Sequence, residues 1–480
     1  MKRATVEMRK MEKSMKIIQK LTALLLCALL LCGAGAPAFA AQADSEPQQS
    51  NTVTAEQFRN YVAAGAPEFT ADCGAALLLE LNSGTMIYSL NAEQTMYPAS
   101  LTKIMTCMLA LEYGRLDDVL TVSESALSGL DEAGSTAGLM VGEQMKLKDV
   151  LYCLMLSSAN EACNVVAEYI SGDVPAFVTL MNKTAQDLGC KNTHYENPHG
   201  LHASNHYTTA KDLSIITRKA LTYEDFREIS STATYTVPAT NMSAPRKLKT
   251  TNYLISTDTV ADYFYPDAIG IKTGYTSAAG RCVISRASDG NLNLLAIVLN
   301  ADTEVLPDGS VRYHNFIEAK RMFDYGFDNF AYAQVLSRLK PIVQVPVQFS
   351  EDEKGAVLIP SEDVNSLLPK EYDKAKITTE YTLEPPSGLT APLRQGQDVG
   401  TVSVLYDGHL IGQTRLETLT AVEVSGTAVV FQESKDFIQE YRWAIILLFV
   451  LIVLLLLFLW LRSTIHRSRR SASRRRGGRR

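Results

Sequence analysis

The middle of this 480-residue chain is poor in basic residues. Residues 1–40 hold seven Lys/Arg and residues 441–480 hold ten Arg, which leaves 29 basic and 50 acidic residues between them, a net of −21. A surface that acidic repels phosphates instead of releasing their counterions, so nucleic acid is excluded as a partner. Cysteine is scarce too. Of eight, none stands in Cys-x-x-Cys spacing, which removes a zinc ribbon or a dithiol redox motif. Two of them, Cys27 and Cys32, fall at the N-terminus. Cys73, Cys107, Cys153, Cys163, Cys190 and Cys282 are scattered through a long body and are expected to be small buried hydrophobes, not a disulfide framework. No internal repeat is present. Two apolar stretches toward the ends, 21–31 and 443–461, carry no charge.

Those two stretches define the ends. A basic region up to Lys20, the apolar run 21–31 and the small-residue approach to Ala38-Phe39-Ala40 read as a secretory signal over 1–40, cleaved after Ala40. Met15-Lys16 offers a second start with a shorter basic region. Both Cys27 and Cys32 follow Leu, where a lipid-attachment signal wants a small residue. Residues 443–461 are 19 positions without charge or proline, about 28 Å of helix, enough to cross the hydrocarbon core. Arg442 and Arg462 bracket the run, and its two ends, Trp443 and Trp460, are the only tryptophans in the chain. The tail 462–480, rich in Arg, Ser and Gly, is expected to be disordered and cytoplasmic, against anionic lipids. The body is thereby expected outside the cell membrane and tethered to it.

Within the body, 41–54 reads as a polar stalk and 55–338 as one α+β domain, with strands at both ends of a helical middle. Strands are predicted at 75–81 and 86–90 around Asn82-Ser83-Gly84, and again at 269–275, 281–287 and 292–300. Helices are predicted from Pro98 to Gly114, over 146–170 with a break at Ser157-Ser158, over 208–223 and over 314–323. After Arg338 short alternating strands and proline-rich joints indicate a small all-β module, 339–435, whose clearest feature is a hairpin turning at Asp407-Gly408 in the type I′ manner.

The chemistry-bearing residues lie in the α+β domain. Ser100-Leu101-Thr102-Lys103 opens a helix, and a spacing of three puts both side chains on one face. Serine attacks only when a base takes its proton, and lysine is that base only when its amine is neutral; burial, a helix dipole and a second lysine all push toward neutrality. Ser-x-x-Lys alone arises about once by chance in a chain this long, and a capping serine beside a solvated lysine would satisfy it. Two further elements sharpen it. Ser158-Ala159-Asn160 interrupts an apolar helix, and Lys272-Thr273-Gly274 sits on a strand that can grip a carboxylate while its glycine admits a peptide backbone.

In this order and context the three elements resemble the penicillin-interacting serine enzymes, and within them the low-molecular-weight penicillin-binding proteins that act as D-alanyl-D-alanine carboxypeptidases. The likeness extends over about residues 55–430, through Tyr97-Pro98-Ala99-Ser100-Leu101-Thr102-Lys103, Asn197-Pro198-His199-Gly200-Leu201 and Gly270-Ile271-Lys272-Thr273-Gly274-Tyr275-Thr276. The resemblance implies a β-lactamase/transpeptidase-like fold, an antiparallel sheet flanked by helices. It implies Ser100 as nucleophile on a peptidoglycan stem peptide, Lys103 as base and Ser158 as proton relay helped by Lys272. Asn160 and Thr273 would bind substrate, and the N–H groups of Ser100 and Tyr275 would receive the oxyanion beside Gly274. Arg312 is the candidate for a second carboxylate clamp. β-Lactams would be covalent inhibitors, and no cofactor or metal is implied; His199, one of four histidines in 194–206, belongs to the second motif. Glu161 reads as a structural hydrogen-bonder at the helix break. A β-lactamase would share the motifs, but no Glu-x-x-Leu-Asn segment stands between Asn160 and Lys272. A non-catalytic β-lactam sensor or wall binder remains the other alternative.

Overall fold

The computed structural model describes residues 66–130, 134–257, 261–351 and 355–474. The signal, its cleavage point and the stalk expected at 41–54 lie outside them, as does the tail beyond Arg474.

Strands β1 (Ala75–Glu80) and β2 (Met86–Leu90) form the first hairpin. The chain then leaves for a helical block: α1 (Lys103–Tyr113), α2 (Leu147–Leu156), α3 (Asn160–Ser171), α4 (Val174–Asp187), α5 (Ala210–Ala220) and α6 (Glu224–Ser231). It returns as β3 (Ala268–Thr276), β4 (Gly280–Ser288) and β5 (Asn293–Ala301), and the sheet is antiparallel in the order β2-β1-β5-β4-β3. Helix α7 (His314–Asn329) covers its far side.

Period-two alternation explains why the central strands are continuous apolar runs, since both faces are covered. Ala75, Leu77 and Leu79 of β1 join Leu295, Ile297 and Leu299 of β5 in the core shared with the helical block. Ala76 and Leu78 join Leu294, Ala296 and Val298 in the core shared with Phe316, Met322 and Phe323 of α7. Helix α7 runs past the end expected at Phe323. Gly326 is no terminator: a Cβ there would lie 2.5 Å from Leu294, so its lack of a side chain lets helix and sheet close up. The break at 157–158 stands as predicted, between the end of α2 at Leu156 and the start of α3 at Asn160. Among the described residues all six cysteines are free; Cys107, Cys153, Cys163 and Cys282 are buried, Cys73 and Cys190 partly so.

Strand β6 (Phe330–Leu336) lies ahead of the boundary expected at 338 yet pairs with β9 (Val364–Pro369) of the β-module. Strands β7 (Val343–Val345), β8 (Ala356–Pro360), β10 (Ile377–Leu383), β11 (Asp398–Tyr406) and β12 (His409–Thr418) form a second sheet in the order β7-β8-β12-β11-β10. The β11–β12 turn has φ of 50° at Asp407 and 80° at Gly408, the two positive values a type I′ turn requires. Tyr332 of β6 donates to Glu80 at 2.6 Å, tying the module to β1 of the first domain.

Two helices follow, α8 (Gly426–Glu440) and α9 (Arg442–Arg474). An 18-residue window within 442–463 has mean hydropathy 3.5 and none of it is buried, the single stretch among the described residues long and apolar enough to cross a membrane. The helix continues to Arg474 where disorder was expected from Arg462. Neither Pro nor Gly occurs between Trp443 and Arg476, so nothing in the local chemistry stops it.

Candidate active site

Pro98 and Ala99 set the turn that carries Ser100. Ala99 holds a left-handed φ of 47°, and Ser100 follows in a short 3-10 turn, Ala99–Thr102, that runs directly into α1 at Lys103. A non-glycine residue in that conformation persists only where its surroundings over-determine it. Here they do. The Glu196 N–H donates to His206 Nδ1 at 3.2 Å, so Nε2 carries the ring proton toward Thr102 Oγ1 at 2.8 Å, and Thr102 in turn donates to the Ala99 carbonyl at 2.9 Å. Burial holds His206 down at about 4, so it stays neutral. Gly200 packs against the same carbonyl: its φ is +87°, and a Cβ there would sit 1.8 Å from Ala99 O.

Lys103 is fully buried. Its Nζ lies 2.9 Å from Ser100 Oγ, 2.8 Å from Asn160 Oδ1 and 2.6 Å from His199 O. Burial, only partly opposed by the charge of Glu161, brings its pKa down to about 8. Ser158 sits in the break between α2 and α3 with a φ of 58°, a second residue with a left-handed backbone beside the cleft. Lys272, also buried, donates to Ser158 Oγ at 3.0 Å and to Thr273 O at 2.9 Å. Burial first, and then the charge of Lys103, pushes Lys272 well below the ordinary lysine range. Thr273 Oγ1 is 2.5 Å from Thr251 Oγ1. Gly274 has a reason the sequence did not give: a Cβ there would meet Ser100 N at 3.0 Å and Pro98 O at 3.1 Å, so the strand needs glycine to approach the Ser100 turn itself.

Ser100, Ser158, Asn160, Thr273, Gly274 and Tyr275 line one cleft of about 1020 Å³, with the two lysines beneath it. Arg312 is not among them. It stands on a short exposed ribbon, Val311–Tyr313, opposite Glu304, and the two side chains pair at 3.0 Å; the ribbon's register consumes its charge. The arginine that does line the cleft is Arg281 of β4. Glu161 Oε1 accepts from Thr136 Oγ1 and from the Ala137 N–H, both at 2.7 Å, in the structural role expected.

A family model described as D-alanyl-D-alanine carboxypeptidase matches residues 60–303, more than half the chain, and one described as the C-terminal domain of penicillin-binding protein 5 matches residues 330–424. The chain belongs to the D-alanyl-D-alanine carboxypeptidase family. The D-alanyl-D-alanine carboxypeptidase DacF of Bacillus subtilis is 32% identical over 352 residues, covering 72% of this chain and 85% of the relative. DacA of Haemophilus influenzae is 31% identical over 368 residues, or 75% and 87% of the two chains. Among solved structures, penicillin-binding protein 5 from Haemophilus influenzae aligns with a TM-score of 0.57 at 30% identity, over 75% of this chain and all of that one. In this carboxypeptidase chain the sequence reading missed Arg281. Its signal was available: a hairpin closing at residues 276–280 sets Tyr275 opposite Arg281 and carries the arginine to the cleft edge.

Proposed function

We propose that this chain removes the terminal D-alanine from peptidoglycan stem peptides through an acyl-enzyme on Ser100, and that β-lactams acylate the same serine. The contacts of Lys103 Nζ carry the reading. An uncharged amine has two hydrogens and one lone pair. Asn160 Oδ1 and His199 O can only accept, so they take both hydrogens. The lone pair is left to the Ser100 hydroxyl, 2.9 Å away, which is the geometry of a general base on a nucleophile.

Ser100 Oγ attacks the carbonyl between the two D-alanines while its proton passes to Lys103. The oxyanion is received by the N–H groups of Ser100 and Tyr275, which the close approach at Gly274 brings together. Ser158, paired with Lys272, delivers a proton to the leaving amine, and Thr273 binds the terminal carboxylate. Water then releases the shortened peptide. With Oδ1 engaged by Lys103, Asn160 has its amide hydrogens to offer a substrate carbonyl. That Glu161 is committed to Thr136 and Ala137 speaks against a fast β-lactamase, which needs a base for deacylation. A mere sensor has no use for a buried amine poised on a hydroxyl. The apolar helix 442–463 fits a single-pass anchor with its arginine-rich end in the cytoplasm and the catalytic domain outside.

Labelled penicillin is expected to form one adduct, on Ser100, and a pentapeptide ending in D-Ala-D-Ala to lose D-alanine. An adduct elsewhere sinks the assignment of the nucleophile; an adduct on Ser100 without D-alanine release leaves the sensor as the reading.

A further inference from the structure

Arg281 has no part in the mechanism above, yet its surroundings are those of a ligand-binding group. It sits opposite Tyr275 in the β3–β4 register. Its guanidinium lies 4.1 Å over the Tyr275 ring and 4.4 Å over the Tyr313 ring. Stacking of this kind covers the flat faces of the cation and fixes its plane, and only the N–H edge is left to make hydrogen bonds. Several other arginines of the fold are paired: Arg246 with Glu143, Arg312 with Glu304, Arg321 with Glu318, Arg415 with Glu384 and Asp398. Among the described residues no carboxylate pairs with Arg281, and its Nε is buried without a partner.

The cleft compounds this. In a body of net charge −21, the described residues that line the cleft include no Asp or Glu, and no Lys or Arg except Arg281. Thr273 and Tyr275 are two apart on β3 and so share a face, and Arg281, opposite Tyr275, shares it with them. The threonine hydroxyl and the guanidinium therefore border the same stretch of the wall. A planar, two-oxygen anion is the ligand that such a fixed fork matches.

We infer that Arg281, and not Arg312, is the cation that selects substrates by their free C-terminal carboxylate. This rests on the carboxypeptidase reading. The test compares the wild-type full-length protein with R281M, R281K and R312M, on a peptide ending in D-Ala-D-Ala and on the same peptide with its C-terminus amidated. R281M keeps much of the stem that fills the space between the rings. Expected is a loss of about 10- to 100-fold in kcat/KM on the free acid, carried mainly by KM, with a narrowed acid-to-amide ratio. R281K is expected to recover part of the loss, and R312M to match wild type on both peptides. Should R281M fold poorly, R281K alone decides, since a displaced charge still shifts the acid-to-amide ratio. Wild-type kcat/KM on the acid in both Arg281 variants, or an equal loss on acid and amide, overturns the inference alone. A wild type that releases no D-alanine overturns the carboxypeptidase reading and takes the inference with it.

Discussion

A lysine held by two carbonyl oxygens is a base only in those molecules that have shed its proton, and burial sets how many do. With Lys103 at about 8, about one molecule in ten carries the free amine at pH 7 and about half at pH 8. The sign is that of a base with a depressed pKa: acylation of Ser100 by labelled penicillin is expected to climb about tenfold per pH unit below 7, bend near 8 and level above it. A flat profile from pH 6 to 9 would assign the proton transfer elsewhere. The groups that the proposed chemistry uses were legible in the sequence because each set is local. Ser100 and Lys103 are one turn apart, Ser158 and Asn160 flank one helix break, and Lys272 to Tyr275 are consecutive on one strand. Arg281 could be read from the hairpin that sets it opposite Tyr275, whereas the place of Arg312 could not, because it depends on the register of the separate ribbon that pairs it with Glu304.

At the scale of elements, the nucleophile turn is held from outside. Ala99 keeps its left-handed backbone because the His206–Thr102 chain and the loop at Gly200 both press on its carbonyl. Gly200→Ala introduces a methyl group where there is no room, at a φ that alanine avoids, and should cost roughly 2 kcal/mol or more of stability. It should also slow acylation, although residue 200 carries no reacting group; urea melts and penicillin-labelling rates on one preparation check both. Unchanged labelling beside a large stability loss would mean that the turn keeps its shape without the loop. Strands and the β11–β12 hairpin followed from apolar alternation and from Asp407-Gly408. Helix ends did not. Helix α7 passes the expected end at Phe323 because Gly326 is a packing site against Leu294, and the polar run from Arg462 to Arg476 lacks the proline or glycine that would end a helix.

For the molecule as a whole, one of the hydrogen bonds between its two folded parts ends on a buried carboxylate. Glu80 is fully buried and accepts from the Ser83 N–H at 2.6 Å, the Ser83 hydroxyl at 2.8 Å and Tyr332 at 2.6 Å. Tyr332→Phe leaves that carboxylate a donor short in a site closed to solvent, at an expected cost of about 1–3 kcal/mol seen in the urea midpoint. Penicillin labelling should not change, because the bond lies far along β1 from the nucleophile turn; a shifted labelling rate would show that the module acts on the cleft. The six thiols lead to something different. Burial holds every one well above the usual cysteine range, the lowest at about 11 for Cys282. A dithiothreitol titration should leave Tm where it is, and iodoacetamide should alkylate the native protein slowly. If exported as proposed, a chain built this way is vulnerable to oxidation during its maturation, when six unpaired sulfurs are open to mispairing, and becomes indifferent to redox conditions once the helices and sheet of its first domain have packed around them.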